Sequence, residues 1–165
     1  MRFGISKLWG ILTGLLVIGI IVYFAMLYVT SQNITAEIKS IKTINYKPFD
    51  NNLKVCFTLR INNTGAIDVT IEKLYYRIYV DGEYLGEGTK ENIVIGKGTN
   101  LIDICLNTSP DKVAKSVLIT AMDKGKVNVT IKGYIDIPIK SFGIIKLWTL
   151  ELPFEETREV EISIR

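Results

Sequence analysis

From Leu8 to Thr30 no side chain is charged, and the apolar residues point to every side of any helix drawn through them. After Ser31 the pattern switches to alternation. A helix crossing the hydrocarbon core of a bilayer needs about 20 apolar residues, and this run meets that length. A stripe of 3.6-residue period would mark a surface helix instead, and no such stripe is present. Trp9 opens the segment and Tyr23 and Tyr28 lie toward its far end, as interfacial aromatics do. The pattern predicts a transmembrane helix over residues 8–30. A cleaved signal peptide has a shorter apolar core, about 7–15 residues, and a small-residue cleavage site; Val29-Thr30-Ser31 is a poor one. A prepilin-type leader would carry a basic residue just before its cut, and neither Gly4 nor Gly10 follows one.

Residues 31–37 read as a linker, and residues 38–165 as the folded domain. Ile38 and Ile41 alternate loosely with lysines into a first strand, which ends at Lys47-Pro48 and the turn cluster Asp50-Asn51-Asn52. Leu53, Val55, Phe57, Leu59 and Ile61 then share one face, with Lys54, Cys56, Thr58, Arg60 and Asn62 on the other. That is the period of two of a half-buried strand. After the turn Asn62-Asn63-Thr64-Gly65, Ile67, Val69 and Ile71 continue the alternation. Glu72-Lys73 break its phase, which predicts a bulge or kink there. Leu74, Tyr76, Ile78 and Val80 then point inward and Tyr75, Arg77 and Tyr79 outward. Asp81-Gly82 is a hairpin turn, and the glycines of the returning EYLGEGT strand mark bends or close backbone approaches.

A turn at Gly96–Gly98 precedes a strand with Ile102, Ile104 and Leu106 on one face and Leu101, Asp103, Cys105 and Asn107 on the other. Ser109-Pro110-Asp111 predicts a helix start, with the Ser109 hydroxyl as N-cap and Pro110 in the first helical position. Val113, Ala114, Val117, Leu118 and Ala121 fall at helical spacing, and Lys124-Gly125 ends the helix. Strands resume at VNVTIKGYIDIPI, at IIKLWTLELPF and at EVEISIR, with Glu155-Glu156 read as a turn between the last two. The reading is a mainly β domain: a sandwich of about seven strands with one short helix.

Composition adds limits. Net charge is +3, with both signs dispersed, which argues against a nucleic-acid partner. The chain has no histidine, so the usual serine triad and the commonest metal ligand are absent. Two cysteines are too few for a structural zinc site. The carboxylates Asp103, Asp136, Glu151, Glu155 and Glu156 are scattered at strand edges and read as solvated surface. No cofactor, metal site, small-molecule substrate or enzyme activity is expected. Arg2 and Lys7 precede the apolar run, so the positive-inside rule places residues 1–7 in the cytoplasm and the domain outside. The expected location is a single-pass cell-membrane protein with an extracellular C-terminal domain.

The order F-x-L-x-I-x-N, turn, then L-x-Y-x-I-x-V, a D-G turn and L-G-x-G resembles the LEA type 2 domain, also called the water-stress and hypersensitive-response domain. The residues are Phe57, Leu59, Ile61, Asn62, Leu74, Tyr76, Ile78, Val80, Asp81, Gly82, Leu85, Gly86 and Gly88. Gly98-Thr99 before a strand, the helix, and Val127 to Gly133 continue the order. The family usually has Asn-Pro in the first turn, where this chain has Asn63-Thr64. The resemblance covers about residues 36–165. It implies a seven-stranded immunoglobulin- or fibronectin-III-like sandwich with one helix, no enzyme activity, and a role in desiccation or stress, in a family found in plants, bacteria and archaea. If the second and fifth strands are neighbours, as in such sandwiches, Cys56 and Cys105 could form a cross-strand disulfide outside the cell. The alternative is two unrelated thiols.

Four N-x-S/T sequons, at Asn33, Asn62, Asn107 and Asn128, are candidate glycosylation sites in an exported domain; chance in an Asn/Thr-rich β protein is the alternative. Tyr75, Arg77, Tyr79 and Tyr84 form a candidate binding strip, against which stands ordinary cross-strand pairing. The expectation is a non-enzymatic, membrane-anchored β-sandwich with a structural or binding role at the cell envelope. Its partners are the lipid bilayer, through the N-terminal helix, and another envelope protein. The second reading is a small subunit of a cell-surface filament or other stator- or pilus-like assembly. In that reading Gly10, Gly14 and Gly19 would let the helix pack closely with others.

Overall fold

The computed structural model describes residues 5–47, 50–65, 67–141 and 144–164. The start of the basic N-terminus and Pro48 lie outside them. The apolar run forms one helix, α1 (Ile5–Gln32), with its apolar side chains exposed over almost its whole length. Among the described residues it is the one helix long and apolar enough to cross a membrane, and its length and composition suit a membrane anchor or a signal sequence.

Seven strands follow: β1 (Ile34–Lys47), β2 (Asn52–Asn63), β3 (Val69–Val80), β4 (Glu83–Ile95), β5 (Gly98–Thr108), β6 (Lys126–Ser141) and β7 (Ile145–Ile164), with α2 (Lys112–Lys124) between β5 and β6. Their hydrogen-bonded order is β4-β3-β6-β7-β1-β2-β5. β7 joins the two halves. Through Glu161 it pairs with β6, and its last residues, Ile162 to Ile164, run parallel to Ile44–Tyr46 of β1. The ladder thereby folds into two facing sheets, β4-β3-β6-β7 and β1-β2-β5. Their inner faces supply the core, and Phe57 of β2 meets Tyr76 of β3 edge-on across it, with ring centroids 5.3 Å apart.

Several sequence expectations change in detail. Residues 31–37 are not a linker: they complete α1, form one turn residue, Asn33, and begin β1. Ile34 is buried there because it pairs with Asn63 at the end of β2. β1 alternates loosely because its ladder shifts register twice, between Ile38 and Ser40 and between Ile41 and Ile44. At Glu72-Lys73 the inward face does switch, from Val69 and Ile71 to Leu74 and Tyr76, but the pairing with β4 keeps its register. The switch is matched in β4 by Asn92 in the left-handed region (φ 46° to 56° is shared by three non-glycine residues here, and Asn92 has 56°). The register shift of that ladder falls further on, at Ile78/Tyr79.

Glu155-Glu156 form no turn. They lie within the continuous β7, opposite Lys132 and Ile131. The strand also holds Pro153, because this part of β7 pairs on one side only, and an edge strand tolerates a missing N–H. The α2 cap is Asp111 rather than Ser109: Asp111 Oδ1 accepts from the Ala114 N–H at 2.8 Å, so the helix begins after the proline. Gly125, with φ 71°, ends it as expected. Ala114, Leu118 and Ala121 are the face it buries. Asp81 and Gly82 both have positive φ, as a two-residue hairpin turn requires.

Candidate functional site

Alternation in β3 places Tyr75, Arg77 and Tyr79 on the outer face of the four-stranded sheet, and register decides what they meet. Tyr75 is opposite Tyr134 of β6, Arg77 lies between Glu87 of β4 and Lys132 of β6, and Tyr79 is opposite Tyr84. The Tyr75 hydroxyl donates to Glu87 Oε2 at 2.6 Å, and Arg77 Nε donates to the Tyr75 hydroxyl oxygen. The Arg77 guanidinium also sits 5.2 Å from the centre of the Tyr75 ring and 3.3 Å from Glu87 Oε2. Lys132 Nζ stands 4.7 Å over Tyr79, whose ring meets Tyr84 edge-on at 5.9 Å. Tyr75 and Tyr134 lie 5.3 Å apart. One row thus reads Glu87–Arg77–Lys132–Glu155 across four strands.

These contacts set the charges. The hydrogen bond from Tyr75, and then Arg77, holds the Glu87 carboxyl below its ordinary range. The same bond raises the Tyr75 hydroxyl, and Tyr75, then Glu87, keeps Arg77 firmly charged. Tyr84 is raised by desolvation and by Glu87. The result is a partly exposed surface of ring faces, ring edges and cations held in place by neighbours. Ring faces and cations so placed can contact carboxylates, aromatic groups or sugar rings. All four predicted strip residues belong to it. Glu87, Lys132 and Tyr134 were not foreseen as members. Alternation already pointed Lys132 and Tyr134 outward, but a single strand does not show that β6 lies beside β3.

Elsewhere, Cys56 and Cys105 are direct register partners on β2 and β5, and their sulfurs are bonded. The structure brings two of the scattered carboxylates, Asp136 and Glu151, opposite each other and leaves Asp103 and Glu156 in separate contacts. Asp103 accepts from the Thr58 hydroxyl at 2.6 Å and pairs with Lys42 at 2.9 Å, which lowers its pKa. Glu156 holds Arg158 at 2.9 Å, and Asp136 lies opposite Glu151. Among the described residues no three His, Cys, Asp or Glu side chains form a metal-sized group. Of the sequon asparagines, Asn107 and Asn128 are exposed on β5 and β6, and Asn62 is half-buried. Asn33 Nδ2 donates to the Val29 carbonyl at the end of α1.

No family model matches the chain, and no curated protein does. Solved structures do. A candidate late embryogenesis abundant (LEA) protein in solution superposes with a TM-score of 0.58 over 96% of this chain and 87% of its own, at 12% identity. A solution structure from Arabidopsis thaliana gives 0.52 over 79% and 78%, at 10% identity. A crystal structure of a protein from Archaeoglobus fulgidus gives 0.49 over 80% and 97%, at 11% identity. At these identities the first two show a shared fold, and that fold is the β-sandwich built above.

Proposed function

We propose that this chain is a membrane-anchored, non-enzymatic module outside the cell, which uses the outer face of its β4-β3-β6 sheet to bind another protein of the cell envelope. The observation that carries this reading is the Tyr75–Arg77–Glu87 network with Tyr79, Tyr84, Lys132 and Tyr134. Four tyrosines and an arginine, residue types enriched at protein interfaces, are ordered there on the outer face of the sheet. The apolar α1 supports the anchor, and Arg2 and Lys7 on its short side support an outward domain. The likeness to a candidate LEA protein motivates a finer proposal, service under desiccation or salt stress.

A photo-crosslinking residue at Tyr84 in native membranes tests the face. The expected result is a defined envelope partner that disappears in Arg77→Ala. A crosslink unchanged by Arg77→Ala, or equal to one from the outer face of β5, would refute it. Protease shaving of intact cells tests the topology, which fails if the domain is protected. Recovery in a complex of fixed stoichiometry through α1 alone would favour the assembly-subunit reading. Unaltered survival of a deletion strain under drying and salt would remove the stress role.

A further inference from the structure

The registers Ile34↔Asn63, Asn63↔Gly98, Val69↔Ile95 and Ser141↔Ile145 gather the β2–β3 loop, the β4–β5 turn, the β6–β7 hairpin and the start of β1 at one end of the sandwich. α1 leaves from this end and is fastened to it. The Asn33 carbonyl accepts from both the N–H and the hydroxyl of Thr64, and Leu27 is only 3% exposed. Tyr23, Met26 and Leu27 share a cavity of about 400 Å³ with Ile67–Thr70 and Pro138–Lys140. The hairpin therefore stands beside the last turns of α1.

Apolar exposure is uneven in the same sense. Outside α1, eight large apolar side chains are exposed among the described residues, and six lie toward this end: Ile67, Val94, Leu101, Ile144, Ile145 and Leu147. Tyr84 and Ile119 are the others. At the hairpin Ile144 is 84% and Ile145 61% exposed, flanked by Lys140 and Lys146. The opposite end shows Asp50-Asn51, Asp81-Gly82 and α2 instead. Isolated exposed isoleucines are ordinary, but a group concentrated around the exit of an apolar helix calls for a shared apolar surrounding.

We propose that this end is a lipid-contacting surface and that Ile144, Ile145 and Leu147 enter the headgroup boundary of the bilayer that α1 spans. The inference rests on the membrane-anchor reading above. Burial of the two isoleucines removes apolar area from water, and interfacial elements sink about 5–10 Å into that boundary. Lys140 extends its ammonium to the lipid phosphates, and Lys146, paired with Glu72 at 2.8 Å, braces the hairpin against β3. Helix and hairpin together give two points of attachment. The strands then stand upright on the membrane and the Tyr75–Arg77 face looks sideways along it, toward neighbours in the same membrane.

The test uses the full chain with its disulfide intact, carrying Ile144→Cys labelled with a polarity-sensitive fluorophore. It is reconstituted in phosphatidylcholine vesicles containing a lipid with a nitroxide on a shallow acyl carbon. Flotation after an alkaline wash reports the anchor independently. The expected result is a floating protein whose label is quenched by the nitroxide lipid, while the same label on Glu83→Cys, at the opposite end, is not. Adding Ile145→Asp and Leu147→Asp abolishes the quenching and leaves flotation intact. A floating protein with equal quenching at both positions overturns the inference and spares the anchor. A blue-shifted but unquenched label marks protein contact and overturns it as well. Protein that does not float removes the anchor and the inference together.

Discussion

Tyr76 has glycine as its register partner on both sides, Gly88 in β4 and Gly133 in β6, and the reason is volume. A Cβ on Gly88 would meet the Tyr76 ring, and one on Gly133 would meet the Tyr75 carbonyl oxygen and the Phe154 ring. Backbone cannot give way as a flexible side chain can. Gly133→Ala should therefore cost about 3 kcal/mol or more, measured as a shift in the urea unfolding midpoint of the detergent-solubilised chain. On the outer face the predictable effect is electrostatic. Glu87, Glu72 and Asp103 all have lowered carboxyl pKa values, through Tyr75, Lys146 and Thr58 with Lys42 respectively. A lowered folded value means the contribution is complete above the ordinary carboxylate range of about 4 and fades as pH falls through the folded values. Stability should decline as the pH drops below that range. In an NMR titration, Tyr75→Phe should move the Glu87 midpoint up toward the ordinary glutamate value; an unmoved midpoint would show that the hydroxyl does not hold the carboxylate.

At the scale of elements, β7 shows how a long strand serves two sheets. While β7 still pairs with β6, Arg158, opposite Val129, reaches across to β1: its guanidinium donates to the Lys39 and Ile38 carbonyls at 2.9 and 3.2 Å. Those carbonyls sit at the first register shift of β1, where ladder pairing is interrupted. Arg158→Ala should cost about 1 kcal/mol, because the Ile38 carbonyl loses its donor at a part-buried site while the exposed Lys39 carbonyl turns to water. Arg158→Lys, with a single donor group, should recover part of it. Hydrogen exchange at β1 and at the end of β7 should rise first. The cap of α2 makes a smaller difference: Asp111→Ala should cost about 1 kcal/mol and Ser109→Ala almost nothing. A reversed order would restore Ser109 as the cap. Neither β7 nor this cap was legible in full. Glu155-Glu156 read locally as a turn, and Ser109-Pro110 as a helix start. What overrode both was pairing with β6 and the docking of α2, which are not local properties.

For the whole molecule, the covalent link matters most. The Cys56–Cys105 bond joins positions 49 residues apart and ties the edge strand β5 to β2. The chain-entropy estimate for a loop of that length is about 4 kcal/mol. Reduction, or Cys105→Ser, should lower the unfolding midpoint by a corresponding amount in a thiol-controlled denaturation. A midpoint insensitive to reductant would mean that the domain is held by its core alone.

Periodicity along the chain specifies the apolar helix, the inward rows Leu53–Ile61 and Leu74–Val80, and the Asp81-Gly82 hairpin. Each depends only on residues within reach of their own strand or turn, so composition at fixed spacing is enough to read them. Neighbourhood is another matter. That β6 lies against β3 and builds the Tyr75–Arg77–Lys132 face, that Arg158 reaches β1, and that the hairpin bearing Ile144 stands beside the end of α1 all depend on pairings between segments distant in the chain. Those pairings are selected by how the two apolar faces close on a single core, and a strand's own alternation says which face it buries but not beside which strand it lies.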